Sequence, residues 1–256
     1  MNILLINAEE TGGGANRIAE SLFHNYLELG HDTHEFVGHK DSKNLRIHEL
    51  DDIRGRNFGK KFFSQCKQRM LKRNVPLLPR LFYELEYWSE PARVIKKKLG
   101  WEDFDYPSSH KIIDDLPWKP DVIHAHNLHS GFFDLRLLDQ WSQKIPFMIT
   151  LHDSWMFTGH CCQSFDCEKW KLGCGQCPYL EYPMQIDRDA TSWNLKLKKR
   201  IYKNASLFIS TPSRWMAKRA EESILQESIK ELKVIHNGVN QEIFRPENKE
   251  KIRREK

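Results

Sequence analysis

A doubly wound, parallel α/β sheet is the fold class this sequence predicts, carrying a helical basic insertion and a cysteine-rich loop. Three observations predict it. Short apolar runs with β-branched residues recur, at residues 3–6, 33–37, 120–125, 146–151, 206–210 and 233–236. Between most of them lie stretches with apolar residues at helical spacing, the alternation of βα units. Two of the runs end abruptly in polar residues, one in His124-Ala-His126-Asn127 and the other in His152-Asp153. Buried parallel strands deliver side chains in this way to the carboxyl edge of an open sheet, where ligands bind.

The 256 residues suffice for one large α/β domain or two small ones, and residues 1–240 read as one. Charged residues make up 29% and hydrophobic residues 39%, which places the chain among soluble globular proteins. No apolar run reaches the roughly 18 residues that would cross a membrane. The opening Met1-Asn-Ile-Leu-Leu-Ile-Asn7 lacks a basic region before its apolar residues, so it reads as a first strand and not a secretion signal. The expected location is therefore cytoplasmic. In that reducing compartment, clustered cysteines are more often metal ligands than disulfides.

Taken in order, the strand at residues 3–6 leads to Thr11-Gly12-Gly13-Gly14. A helix over residues 15–29 follows, with Ile18, Leu22, Tyr26 and Leu29 at helical spacing and Gly30 as its stop. Strand, glycine loop and helix together form an anion cradle. Glycines let backbone N–H groups approach, and the helix N-terminus adds partial positive charge. A diphosphate is the natural guest, with a ligand-free tight turn as the alternative. The dinucleotide fingerprint is not met, because Arg17 stands where it needs glycine or alanine. Glu35, near the spacing of a ribose-binding acid, falls inside the second strand instead of at its end.

Residues 40–118 lose the βα rhythm and read as an insertion beside the sheet. Between residues 54 and 73 lie Arg54, Arg56, Lys60, Lys61, Lys67, Arg69, Lys72 and Arg73, with no acid among them. Phe58, Phe62, Phe63, Met70 and Leu71 are interleaved. A break at Pro76 and Pro79 precedes a helix over residues 82–99, which contains Lys96, Lys97 and Lys98. The segment is a solvated helical face, an anionic membrane surface contact or a phosphate site. Nucleic acid is not expected, since no recognised binding motif accompanies the charge.

The rhythm then returns. After the strand at 120–125 come a helix over 132–141 and the strand at 146–151. Beyond the cysteine-rich loop at 158–180 come a helix over 193–203, the strand at 206–210, a helix capped by Ser213 and the strand at 233–236. Residues 247–256 are too polar to pack alone.

Three polar groups should meet at the carboxyl edge: the glycine loop, His124/His126/Asn127 and His152/Asp153. We read alternation as turning His124 away from His126 and giving it a structural role. His152 is the candidate to hydrogen-bond a phosphate or sugar, or to move a proton. Cys161, Cys167, Cys174 and Cys177 are separated by five, six and two residues. That spacing suits a closed tetrahedral thiolate site, hence a structural and not a catalytic zinc. Cys162 or His160 could replace one ligand, and free thiols or a disulfide are the alternatives. A zinc hydrolase built on His124, His126 or His152 with Asp153 lacks a supporting ligand motif.

Several stretches together resemble the N-terminal domain of family 4 glycosyltransferases of the GT-B fold, in particular the bacterial polysaccharide and colanic-acid type. They are Gly12-Gly-Gly14-Ala-x-Arg17, Pro120-Asp-Val-Ile-His-Ala-His126, Thr150-Leu-His152-Asp153 and Thr158-Gly-His-Cys161. Asp166-Cys167-Glu-Lys-Trp170, Gly173-Cys-Gly-Gln-Cys-Pro178, Thr211-Pro-Ser213 and Asn237-Gly-Val-Asn-x-x-x-Phe244-x-Pro246 complete the set. The resemblance implies a Rossmann-like half of a GT-B fold. It also implies a retaining enzyme that moves a hexose from a nucleotide diphosphate-sugar, UDP- or GDP-linked, to a glycan or lipid-linked acceptor. By position, Gly13 and Gly14 would contact donor phosphate and His152 would sit by the reacting sugar. His126, Asn127 and Asp153 would line the acceptor cleft. Cys161 would be the first thiolate ligand, with Cys162 the extra, and no catalytic metal is expected. Family members continue into a nucleotide-binding second domain with a Glu-x7-Glu motif. Residues 241–256 therefore read as the start of an interdomain linker, with the donor-binding domain absent or on another chain and no activity expected alone. The contrasting reading is a non-catalytic module that binds a phosphorylated or lipid-linked glycan. Either would work in the cytoplasm, peripheral on the inner face of the cell membrane.

Overall fold

The structure is a computed structural model, and it describes residues 1–50, 56–73, 78–182, 184–242, 244–246 and 253. Arg54 of the basic run, Pro76 of the expected break and nearly all of the 247–256 tail lie outside the described residues.

Seven strands make one parallel sheet: β1 (Asn2–Glu9), β2 (Asp32–His39), β3 (Ile47–Glu49), β4 (Val122–Ala125), β5 (Phe147–Thr150), β6 (Leu207–Thr211) and β7 (Ile229–Val234). Their order is β3-β2-β1-β4-β5-β6-β7, and every neighbouring pair is parallel. The chain winds outward from β1 to one edge, returns to β4 beside β1 and winds outward to the other. The direction reverses between β1 and β4, and their carboxyl ends open a crevice there.

Both faces of the central strands are covered. Leu4 and Ile6 point into the larger core with Ile123, Ile149 and Leu207. Leu5 points the other way, onto Phe23, Val37 and Ile47. Phe23 belongs to α1 (Gly14–Glu28), which Gly30 ends in a left-handed conformation at φ +80°. On the other face lie α5 (Leu137–Ser142), α7 (Thr191–Tyr202) and α8 (Arg214–Glu221), whose buried Leu138, Tyr202 and Met216 join the larger core. Ser213 caps α8 as expected, its hydroxyl accepting from Met216 N. A four-residue helix, α6 (Lys169–Leu172), lies in the cysteine-rich loop.

Several boundaries differ from expectation. The stretch read as lying beside the sheet supplies β3, and it buries Phe104, Ile112 and Leu116 in the main core. Its middle forms α2 (Phe58–Lys72), α3 (Leu78–Trp88) and α4 (Pro91–Lys98). The single helix expected over 82–99 is two. Pro91 has no N–H to continue α3 and instead sits in the first turn of α4. Residues 132–136 are loop and not helix, since Asp134 is spent accepting from Arg136 N and Arg136 Nε. The last strand begins at Ile229, not at 233, because Lys230, Glu231 and Lys233 interrupt any apolar run. Such charges are usual on an edge strand.

Candidate active site

The glycine loop leaves the carboxyl end of β1. Gly13 precedes α1 without a side-chain cap, so the first N–H groups of the helix have no side-chain acceptor at that point. Among the described residues, a Cβ added at Gly13 or Gly14 would meet nothing within 4 Å, so their packing does not occupy the space beside the two glycines. Gly12 alone of the three has a left-handed backbone, at φ +107°. Buried Asn16 braces the turn by donating to Glu9 Oε2 and to Thr11 O, each at 3.1 Å. Asn7 donates to Glu9 O at 2.8 Å and to Asn16 Oδ1 at 3.3 Å. Neither asparagine belongs to the site residues expected from sequence. For Asn7 the signal is an amide near the end of an otherwise apolar strand, whereas Asn16 lies in the first turn of α1 and carries no such mark. Glu9 brings a carboxylate to the same loop, which opposes an anion there. Glu35 is buried within β2, away from the strand end, and burial pushes it up to about 8. It is a core carboxyl and not a ribose ligand.

Next to β1, the carboxyl end of β4 turns at His126, whose N–H donates to Ile6 O at 2.9 Å. From β5 comes His152, and its Nε2 lies 2.9 Å from His126 Nδ1 with the rings stacked at 15°. The two expected site histidines are thus brought together. His124 does not face away from His126. Residues two apart on a strand share a face, and their ring centroids are 4.4 Å apart. The expected structural role for His124 still fits its contacts. It is buried, with Nδ1 3.1 Å from the Tyr26 hydroxyl and Nε2 2.8 Å from Thr150 Oγ1, which lies 2.6 Å from Ser210 Oγ. Burial, then His152, pushes His124 down to about 4. Burial, then His124 and His152, holds His126 well below the ordinary imidazole value. Burial also lowers His152, and the Asp153 carboxylate works against that shift. The row is therefore neutral at neutral pH and exchanges hydrogen bonds, not charge.

Asp153 is fixed from two sides: Oδ1 accepts from Trp155 N at 2.8 Å, and Oδ2 lies 2.9 Å from His129 Nε2. His129 Nδ1 in turn lies 2.7 Å from Ser130 Oγ. His129 was missed from sequence, although it is the third histidine of His124-x-His-Asn-x-His129. Asn127 is half-buried in the same turn. Beneath the loop, Lys198 is fully buried and donates to Trp155 O at 2.8 Å and Thr158 O at 3.1 Å, with Glu102 Oε2 2.9 Å away. The Trp155 indole donates to Glu102 Oε1 at 2.7 Å. Burial pushes the Glu102 carboxyl up and the Lys198 ammonium down, and each partner opposes the other's shift.

Cys161, Cys167, Cys174 and Cys177 all line one narrow cavity, together with His160. Cys162 lies outside it, beside Asp153 and His129. Gly173, Cys174, Gly175 and Gln176 are all left-handed, a sharp knuckle that presents Cys174 and Cys177 to the cavity. His160 Nδ1 lies 3.2 Å from Met184 O and so donates there, which leaves its Nε2 lone pair 3.4 Å from Cys177 Sγ. That donor set suits zinc. The four thiols do not close on a common point, however. Among the described residues, only His129, Asp153 and Cys162 bring three ligand atoms within 4.8 Å of one another. Burial raises Cys161 and Cys177 and pushes Cys174 up to about 12, so a metal would have to displace the protons of these three thiols.

The profile of one protein family, described as Glycosyltransferase Family 4, matches residues 12–243. Over 200 residues the chain is 28% identical to a putative colanic acid biosynthesis glycosyl transferase of Escherichia coli (strain K12). That alignment covers 73% of this chain and 42% of the relative, so the chain spans less than half of the relative's length. No helix among the described residues is long and apolar enough to cross a membrane.

Proposed function

The chain belongs to glycosyltransferase family 4, and from that premise we propose that it is the acceptor-side half of a retaining transferase of polysaccharide synthesis. In this reading it moves a hexose from a UDP- or GDP-sugar to a glycan or lipid-linked acceptor. The observation that carries the reading is the meeting, at the β1/β4 reversal, of an open glycine loop with the His126–His152 pair.

Gly13 and Gly14 would offer backbone N–H groups to the donor diphosphate. His152, neutral and half-buried, would hydrogen-bond the reacting sugar, with His126 orienting it. Asn127 and Asp153 would face the acceptor. As the bond to the diphosphate breaks, positive charge grows on the sugar and negative charge on the leaving group. A hydrogen bond placed at that point is strongest in the transition state. Cys161, Cys167, Cys174 and Cys177 would hold a structural zinc, and no step here calls for a catalytic metal. The nucleotide would be held by a second, donor-binding domain, in the same polypeptide or another, and the work would be done at the inner face of the cell membrane.

The decisive experiment incubates the chain with a panel of UDP- and GDP-sugars and a lipid-linked acceptor, with and without a donor-binding C-terminal half. Transfer that needs both halves supports the reading. Glycan binding without transfer, even in a complex that binds nucleotide sugar, would reassign the chain as a binding module.

A further inference from the structure

Helices α2 and α3 form a hairpin that packs chiefly on itself and on α4, and not on the sheet. Its seam is charged: buried Glu86 pairs with Lys60 at 3.4 Å and with Lys67. Part of its outside is apolar. Leu78, Leu81, Leu85 and Trp88 follow three- and four-residue spacing, a single stripe along α3, and are 40%, 52%, 39% and 52% exposed. On α2, Phe58 and Phe62 lie one turn apart, stacked at 5.9 Å, and are 81% and 47% exposed. One exposed leucine means little. A whole helical stripe, with a stacked phenylalanine pair on the other helix of the hairpin, leaves apolar surface uncovered.

The charge around that surface is predominantly basic. Described residues 56–98 hold twelve basic side chains and three acids. Two of the acids, Glu86 and Glu90, are already paired with Lys60, Lys67, Arg56 and Arg93. Lys98 Nζ sits 5.3 Å over the Trp88 ring, so a cation lies directly at the end of the stripe. Apolar side chains framed by lysine and arginine fit the boundary where acyl chains meet anionic headgroups. A protein partner complementary to this face would need an acidic rim around an apolar centre, which is a narrower requirement than an anionic bilayer.

We infer that the α2–α3 hairpin seats in the interface of an anionic bilayer, with Leu81, Leu85 and Trp88 among the acyl chains and Lys61, Lys72 and the α4 lysines on the phosphates. This deepens the lipid-linked acceptor of the proposed function and rests on that reading for its purpose, but its test requires no turnover. A failed transfer assay and a failed docking surface are therefore separate results.

The test uses the whole chain with phosphatidylcholine vesicles, with and without phosphatidylglycerol, carrying brominated acyl chains. Binding should need phosphatidylglycerol, weaken with salt and quench tryptophan fluorescence, and Trp88→Phe should remove most of the quenching. The double variant Leu81→Gln/Leu85→Gln should melt like the parent yet bind roughly tenfold more weakly or worse. Vesicle binding that is absent would overturn the inference. So would binding that the double variant leaves unchanged, because the contact would then be electrostatic alone. A dimer in sedimentation that the same variant dissociates would also overturn it, by assigning the stripe to a second copy.

Discussion

His126 Nδ1 and His152 Nε2 are 2.9 Å apart, so one of these two neutral rings donates and the other accepts. Among the described residues, the buried Nε2 of His126 has no hydrogen-bond partner. An orphaned N–H is rarer in a protein interior than an orphaned acceptor. The proton of His126 therefore belongs on Nδ1, and it is donated to His152. That leaves His152 protonated at Nδ1, with a donor for a ligand. Long-range proton–nitrogen NMR of the imidazole rings should report this tautomer, and His126→Asn should keep it by retaining a donor near the Nδ1 position. His126→Leu should let His152 relax to the other tautomer. If His152 carries its proton on Nε2 in the parent protein, the assignment is wrong.

Replacing His152 should cost rate more than folding. His152→Ala is expected to melt within a few degrees of the parent, because the ring is only half-buried. Turnover of the completed enzyme should fall on the order of 100-fold. A large drop in melting temperature, with activity following the folded fraction, would instead mark His152 as a packing residue.

Stability should depend on pH through two opposed sets of buried groups. Glu35 is raised from 4.5 to about 8. Its contribution is full below pH 4.5 and is lost as pH rises through about 8, a change of roughly 4–5 kcal/mol at one unit per 1.4 kcal/mol. His124 is lowered from 6.5 to about 4. Its contribution is present above 6.5 and is lost as pH falls through about 4, with His126 and His152 acting in the same direction. Denaturant melts of Glu35→Gln should therefore show stabilisation at pH 8 that shrinks towards pH 5. An equal effect at both values would mean that Glu35 ionises normally.

For the cysteine-rich loop, protein purified without added metal should carry about one equivalent of zinc. Cys174→Ser should lose it and Cys162→Ser should keep it, because Cys162 lies outside the shared cavity. Elemental analysis beside thiol titration decides the matter. A metal content below a tenth of an equivalent, with every thiol titratable, would leave the quartet as buried free cysteines.

Lys198→Met should be destabilising by about 3–5 kcal/mol, since it leaves Glu102 buried without its cation. Lys198→Met with Glu102→Gln should recover part of that loss. Equal stability of the single and double variants in urea would show that the pair is not coupled.

What could be read from sequence was whatever depends on neighbours in the chain. Gly30 and Ser213 mark helix ends through local geometry. His126 and His152 stand out because polar residues follow apolar strands, and parallel pairing then forces them to one edge. The misreading of His124 was one of parity, since two residues along a strand return the side chain to the same face. β3 has only Ile47, His48 and Glu49, too short a run for a period to register. Lys198 and Glu102 are 96 positions apart, and nothing local to either marks it as half of a buried pair. The open cysteine cavity and the separate place of Cys162 are likewise products of tertiary folding.

The Glu102–Lys198 contact also bears on how such a chain can be cut, shortened or recombined. Glu102 comes from the stretch that interrupts the βα rhythm, whereas the backbone Lys198 holds, at Trp155 and Thr158, leads out of the carboxyl edge of the sheet into the cysteine-rich loop. Gly100 presses the same stretch against Arg188 O so closely that an added Cβ would lie 1.8 Å away. The interruption is thus not a detachable module. Its outer hairpin should tolerate exchange or trimming at the base of α2 and α3, whereas residues from Gly100 onward act as a keystone, and grafts or truncations that respect this division should leave the carboxyl edge of the sheet assembled.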